Sequence, residues 1–256
     1  MNRRNFIEKA ALAGGSLLFM PSFTKAAFTT GNIKPALLGG KKAYPESFTA
    51  WPIYNGREEE ALLSTLRSGK WGRLDGQKSA TFESEYAKAL GVKHTLGLAS
   101  GTSALYTMLG AIGIGPGDEV IIPPYTFVAT YNVVVLNYAL PVFVDTDIES
   151  FQIDPAKIEA AITKQTKVIM PVHMGGSPAD LERILPIGKK YNIPIIEDAC
   201  QAYLAEWKGN KVGSYGLGGA SSFPSSKNLN CADGGANATN DDDLISRCYR
   251  FNNQGQ

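Results

Sequence analysis

The chain has 256 residues, 44% of them hydrophobic, enough to bury a substantial core in one large domain or two small ones. Its 25 lysines and arginines against 24 acidic residues leave a net charge of +1, without the basic face or stripe that nucleic-acid binding calls for. Three cysteines (Cys200, Cys231, Cys248) without CxxC spacing and only two histidines (His94, His173) assemble no metal site. The cysteines read instead as small buried side chains.

Residues 1–26 stand apart. Arg3-Arg4 precede Asn5-Phe6-Ile7, an apolar run follows from Ala10 to Met20, and small residues close the segment near Ala26. This order predicts an export signal of the twin-arginine type and a periplasmic destination. An apolar stretch of about ten residues, broken by Gly14-Gly15, is too short to span a bilayer, so no stable membrane anchor is expected. The leader carries +3, which leaves the remainder at −2.

Residues 27–55 read as a linker and N-terminal arm, punctuated by Gly31, Pro35, Gly39-Gly40 and Pro45. The domain proper is expected over 56–256. A helix is predicted from Gly56 to Ser68, with Glu58 to Glu60 complementing its N-terminal dipole, and a second from Ser79 to Leu90, closed by Gly91. Strand and helix then alternate. His94 to Ala99 is a strand and Thr102 to Ile112 a helix; Glu119 to Ile122 is a strand and Phe127 to Tyr138 a helix. Pro141 to Asp145 is the next strand, and Asp154-Pro155 opens a helix through Ile162. Lys167 to Val172, a helix from Ala179 to Tyr191, and the strand Ile193 to Asp198 continue the series. A turn-rich stretch with Gly209, Gly213 and Gly216 leads to a lysine segment and a last helix from Asp241. The alternation predicts an α/β domain around a mainly parallel sheet flanked by helices.

Four features fall at predicted strand ends. Ser100-Gly101-Thr102-Ser103 joins a strand to a helix; the glycine permits a tight turn, and Thr102 and Ser103 place hydroxyls where free N–H groups and the helix dipole attract an anion. The same residues also suit an ordinary helix cap. Asp198 ends an almost wholly apolar strand, Pro194 to Asp198, at the edge where open α/β sheets bind ligands, with Gln201 three residues on. Pro123 to Phe127 puts Tyr125 and Phe127 in the loop after another strand, where a ring can stack on a planar ligand. His173 ends a third strand, either lining a pocket or serving as a satisfied buried imidazole.

Lys227, in Ser221 to Gly235, lies 29 residues after Asp198 on a small, polar turn. A lysine that forms a Schiff base needs such a setting: a tightly held amine beside residues small enough to leave room for a cofactor. A carboxylate at Asp198 would pair with a protonated pyridine nitrogen. Together these point to pyridoxal 5'-phosphate (PLP).

Ser-Gly-Lys-Trp-Gly, Ala-Ser-Gly-Thr-Ser-Ala-Leu, Pro-Tyr-Thr-Phe-Val-Ala-Thr, Glu-Asp-Ala-Cys-Gln-Ala and Ser-Phe-Pro-Ser-Ser-Lys-Asn-Leu together resemble the DegT/DnrJ/EryC1/StrS aminotransferases from about Leu37 onward. The resemblance implies the large domain of PLP fold type I, without the smaller C-terminal domain that completes the substrate pocket. It implies Lys227 as Schiff-base lysine and proton shuttle, Asp198 on the pyridine nitrogen, Gln201 near the ring oxygen and Phe127 stacked on the ring. Thr102, Ser103 and Ser222 would hold the phosphate. Asn253 matches a loop that reaches the neighbour's site in homodimers, with Asn252 where the family has arginine. Ala232-Asp233-Gly234-Gly235 stands where Gly-Glu-Gly-Gly is common. The implied reaction moves an amino group from glutamate or glutamine to a keto-sugar or cyclitol ketone. Two other readings stay open: a PLP-dependent sugar dehydratase, which typically lacks the lysine, and a non-catalytic relic that has kept the pocket.

Overall fold

The computed structural model describes residues 34–253 and 255, so the 1–26 leader and the first part of the arm lie outside the described residues. Two units divide at Ala50/Trp51. The described part of the first, Lys34 to Ala50, is almost wholly exposed; it holds a 3-10 turn at Ala36–Leu38 and stacks Tyr44 on Phe48 with ring centroids 4.9 Å apart.

The second unit follows the predicted alternation. Its elements are α1 (Gly56–Ser68), α2 (Lys78–Leu90), β1 (His94–Leu98), α3 (Gly101–Ile112), β2 (Glu119–Ile122), α4 (Val128–Leu136) and β3 (Leu140–Phe143). Next come α5 (Pro155–Ala161), β4 (Thr166–Ile169), α6 (Leu181–Tyr191), β5 (Ile196–Asp198), a hairpin of β6 (Glu206–Trp207) and β7 (Asn210–Lys211), β8 (Gly218–Ser222), β9 (Gly235–Thr239) and α7 (Asp242–Asn252). Helix starts are capped as their sequences dictate: Asn55 forms a reciprocal capping box with Glu58, and Ser100, Asp154, Asp180 and Asp241 each accept from an N–H of the first turn.

Strands β3-β2-β4 pair in parallel, as do β5 and β8, and the parallel bridges Ile169–Ile195 and Val172–Asp198 join β4 to β5. β9 runs antiparallel to both β8 and β1. The spatial order is therefore β3-β2-β4-β5-β8-β9-β1, parallel except for β9. Alternate residues feed opposite cores: Val120, Ile122, Val168 and Ile196 pack with Met108 and Leu109 of α3, whereas Ile121, Ile169 and Ile195 pack with Ile158 of α5 and Ile184 of α6. A sheet buried on both faces explains why its parallel strands read as continuous apolar runs.

β8 and β9 were not expected from sequence. Gly-Gly-Ala-Ser-Ser and Gly-Ala-Asn-Ala-Thr lack both apolar alternation and β-branched density, yet Ala220, Ala236 and Ala238 are fully buried. Close approach dictates their small size. A Cβ on Gly219 would sit 2.4 Å from the Gly213 carbonyl oxygen, and one on Gly218 would sit 2.8 Å from Met108 Cε.

Glu197 and His173 are both 0% exposed, with His173 Nε2 3.0 Å from Glu197 Oε2. The Gly213 N–H donates to the same oxygen at 2.7 Å, and the Tyr215 and Gly216 N–H groups donate to Oε1 at 2.7 and 2.8 Å. His173 Nδ1 accepts from Ala179 N–H at 3.0 Å, so its ring proton sits on Nε2 and is donated to Glu197. Replacing Glu197 with glutamine turns an NH2 group toward backbone N–H donors. E197Q is expected to lose about 3 kcal/mol of stability, read from the chemical-denaturation midpoint; an unchanged midpoint would refute this account.

Candidate active site

The parallel strands end at one edge of the sheet, and a cavity of about 730 Å³ opens there. Ser100, Gly101 and Thr102 enter it from the β1–α3 junction, Thr126, Phe127 and Thr130 from the β2–α4 junction, Asp198, Cys200 and Gln201 from the end of β5, and Ser222, Lys227 and Asp233 from the segment after β8. Of the residues singled out in the sequence, Gly101, Thr102, Phe127, Asp198, Gln201, Ser222 and Lys227 line this one cavity.

Ser100 caps α3 by accepting from Ser103 N–H at 3.0 Å, leaving the first N–H groups of the helix at the cavity with the Thr102 and Ser222 hydroxyls. Gly101 allows this closeness, since a Cβ there would lie 2.6 Å from Ser222 Cβ and 2.9 Å from Cys200 Sγ. Ser103, expected beside Thr102, is not among the cavity-lining residues; its hydroxyl lies 3.0 Å from Oγ of Ser100, which is.

Asp198 is 3% exposed and has no ion-pair partner among the described residues. Thr130 Oγ1 donates to its Oδ2 at 2.7 Å and Cys200 N–H to its Oδ1 at 3.1 Å. Gly175 N–H donates to Gln201 Oε1 at 3.2 Å, which leaves the amide's Nε2 as the donor end free for a ligand. Lys227 lines the same cavity and forms no ion pair among the described residues. The Cys200 thiol is pushed well above its ordinary pKa, first by burial and then by the negative Asp198, against a smaller opposing pull from Lys227. It stays protonated and is no nucleophile.

Two further expected residues lie elsewhere, His173 and Tyr125, while the expected place of Asn253 is a neighbour's site rather than this cavity. His173 is the satisfied buried imidazole paired with Glu197 and touches no cavity wall. Tyr125 is 50% exposed and leans on Phe151, centroids 6.0 Å apart, because the Pro123-Pro124 turn carries it outward. Asn253 caps the end of α7, donating its N–H to Tyr249 O at 3.0 Å, and is absent from the cavity of its own chain. All three cysteines are free, and Cys231 is exposed rather than buried. Thr126 and Thr130 also line the cavity, and the sequence signal for them is a pair of threonines just after the end of β2. Asp233, which stands where the family commonly has glutamate, borders both this cavity and a second one of about 680 Å³ under the lysine segment.

An anion-accepting helix start, a buried carboxylate without a cation, a free amide donor and a lysine amine in one cavity match the phosphate, ring nitrogen, ring oxygen and aldehyde of PLP. With a sheet in this strand order, they define a PLP-dependent protein of fold type I. More narrowly, the chain belongs to the DegT/DnrJ/EryC1/StrS aminotransferase family, whose sequence profile matches residues 53–256. It is 40% identical over 211 residues to GDP-perosamine synthase of Caulobacter vibrioides, covering 82% of this chain and 57% of that protein. The aminotransferase from Psychrobacter cryohalolentis superposes with a TM-score of 0.80 at 37% identity, over 82% of this chain and 53% of its own. NtdA from Bacillus subtilis, solved with bound cofactor PMP, superposes with a TM-score of 0.74 at 34% identity, over 82% and 49%. The chain spans about half the length of these relatives.

The lysine segment is closed by backbone bonds from Phe223 N–H to Gly234 O, Cys231 N–H to Phe223 O and Ser225 N–H to Ala232 O. Ala232, where the family commonly has glycine, sits at φ +72°, a region unfavourable for a residue with a Cβ. Relief of that strain outweighs the added freedom of the unfolded chain, so A232G is expected to raise stability by about 0.5–1 kcal/mol. Thermal denaturation of the two forms checks this, and a lower midpoint for A232G would contradict it.

Proposed function

We propose that this chain is the cofactor-binding part of an aminotransferase that moves an amino group from glutamate or glutamine to a keto-sugar or cyclitol ketone. The observation that carries the reading is a lysine amine, without an ion-pair partner among the described residues, sharing one cavity with a buried aspartate and a helix N-terminus. Family membership supports the reaction class, and the sugar-acting relative supports the acceptor class.

Bound here, PLP would supply an electron sink for the carbanion formed at the donor's α-carbon. The chain's residues would prepare that chemistry. Thr102, Ser222 and the first N–H groups of α3 would hold the phosphate. Asp198 would keep the ring nitrogen protonated, Gln201 Nε2 would donate to the ring oxygen, and Phe127 would cover a ring face. Lys227 Nζ would hold the cofactor through its aldehyde, be released when the donor amine enters, and then take the proton from the donor's α-carbon. On the acceptor it would return a proton to the carbon that was the ketone. The dehydratase reading is disfavoured because this chain keeps the lysine.

The purified chain with PLP should show a visible band that survives desalting and bleaches with glutamate or glutamine. K227A should lose the stable band and at least about 10³-fold in amino transfer, the scale of a missing acid–base group. Retained transamination in K227A would end the assignment, whereas a stable band that ignores both donors would overturn the donor choice alone.

The proposal extends to assembly and location: a homodimer, exported by the twin-arginine route to the periplasm. That route carries folded proteins, which suits an enzyme that takes up its cofactor in the cytoplasm. The acceptor is then better matched by a free sugar or cyclitol than by a cytoplasmic nucleotide-sugar. A reporter fused to residues 1–26 should be exported, and changing Arg3-Arg4 to Lys-Lys should block export; a reporter that stays cytoplasmic would sink this part.

A further inference from the structure

We infer that Thr130 is a positioning residue for the PLP ring, acting with Thr126 as a hydroxyl relay that fixes the Asp198 carboxylate; this rests on the assignment of the cavity to PLP. Thr130 is 1% exposed, and its Oγ1 lies 2.7 Å from Asp198 Oδ2 and 2.7 Å from Thr126 Oγ1. A threonine hydroxyl has one hydrogen, and an ionised carboxylate only accepts. The Thr130 hydrogen therefore goes to Asp198, and the Thr130 oxygen takes the hydrogen of Thr126. At the other carboxylate oxygen, Cys200 N–H donates at 3.1 Å.

Both oxygens of Asp198 are thus held by donors that do not titrate. This matters because no cation pairs with Asp198 among the described residues, so these hydrogen bonds are what hold and orient its buried carboxylate. The titratable groups sharing its pocket are the Cys200 thiol, which burial and Asp198 itself keep protonated, the Lys227 amine and the Asp233 carboxyl; Lys227 and Asp233 make no hydrogen bond to its carboxylate oxygens among the described residues. Thr126 stands just before the extended cap residue Phe127 and Thr130 in the first turn of α4, and the turn into the helix brings the two hydroxyls together. The donors are built into the β2–α4 junction, and the acceptor comes from β5, so the relay also ties those two walls of the cavity together.

The test titrates PLP into the wild-type chain, Thr130→Val, Thr130→Ser and Thr126→Val, with Kd read from the visible band, and repeats Thr130→Val in an Asp198→Ala background. Thr130→Val keeps the shape and removes the hydroxyl; it should weaken PLP binding about tenfold, the scale of one hydrogen bond to a charged group. Thr130→Ser should stay within about threefold of wild type, and Thr126→Val should fall between the two. Without Asp198, the Thr130→Val change should shift Kd by less than about twofold, because the residue would act through the carboxylate. The inference is overturned if Thr130→Val binds as wild type does, if Thr130→Ser falls as far as Thr130→Val, or if the loss persists in full without Asp198. Failure of the wild-type chain itself to bind PLP would overturn the assignment of the cavity and this inference with it.

Discussion

Two adjacent carboxylates at the end of β5 point to opposite sides of the sheet, and among the described residues neither is paired with a lysine or arginine. Glu197 accepts from His173 and from the N–H groups of Gly213, Tyr215 and Gly216, while Asp198 accepts from Thr130 and Cys200. Successive residues of a strand face opposite ways, so a single dipeptide anchors the 213–216 turn on one side and the cavity on the other. A buried negative charge costs several kcal/mol unless its lone pairs are filled, and at Glu197 four donors fill them. The arrangement therefore fixes the path from β5 to β8. Every later part of the site depends on that path, because β8 delivers Ser222 and the segment carrying Lys227.

The same constraint explains the composition of β8 and β9. Once the 213–216 turn is tied to Glu197, β8 must run within contact of Gly213 on one side and of Met108 on the other, and at Gly218 and Gly219 no side chain fits. Val, Ile or Thr would serve the strand conformation better but would push α3 off the sheet. α3 cannot move without carrying its N-terminus, with Gly101 against Ser222, away from the cavity. Packing density, rather than local propensity, chose these residues.

That choice marks the boundary of what was legible in the sequence. The parallel strands and their helices could be read because each carries its own signal: β2 is an apolar run, α3 follows a Ser cap and ends at Gly113, and α5 opens with Asp154-Pro155. β8 and β9 carry no such signal, since their identity as strands depends on neighbours far away in the chain. The site divides the same way. Asp198, Lys227, Gln201 and Gly101 were visible because strand-end position and residue type alone mark them. His173 satisfied those criteria equally well and belongs to Glu197 instead, because whether a strand-end side chain faces the ligand edge or an interior partner depends on the distant loop it meets. Ser103 meets the Ser100 cap through both its N–H and its hydroxyl, a local contact that strand-end position alone does not reveal.

Charge placement in the cavity follows from the same geometry. Lys227 is brought near Asp198 by the β5–β8 pairing, yet Asp198 is already occupied by uncharged donors on both oxygens, so the amine is not consumed in a structural ion pair. Had the protein stabilised Asp198 with the lysine, the most direct electrostatic solution, the amine would have been withdrawn from chemistry and the carboxylate neutralised toward a ring nitrogen. Holding the acid with a threonine hydroxyl and a backbone amide keeps both groups available, one for the ring and one for the reacting carbon. The weaker individual bonds are what allow the two charges to serve different ends of the same ligand.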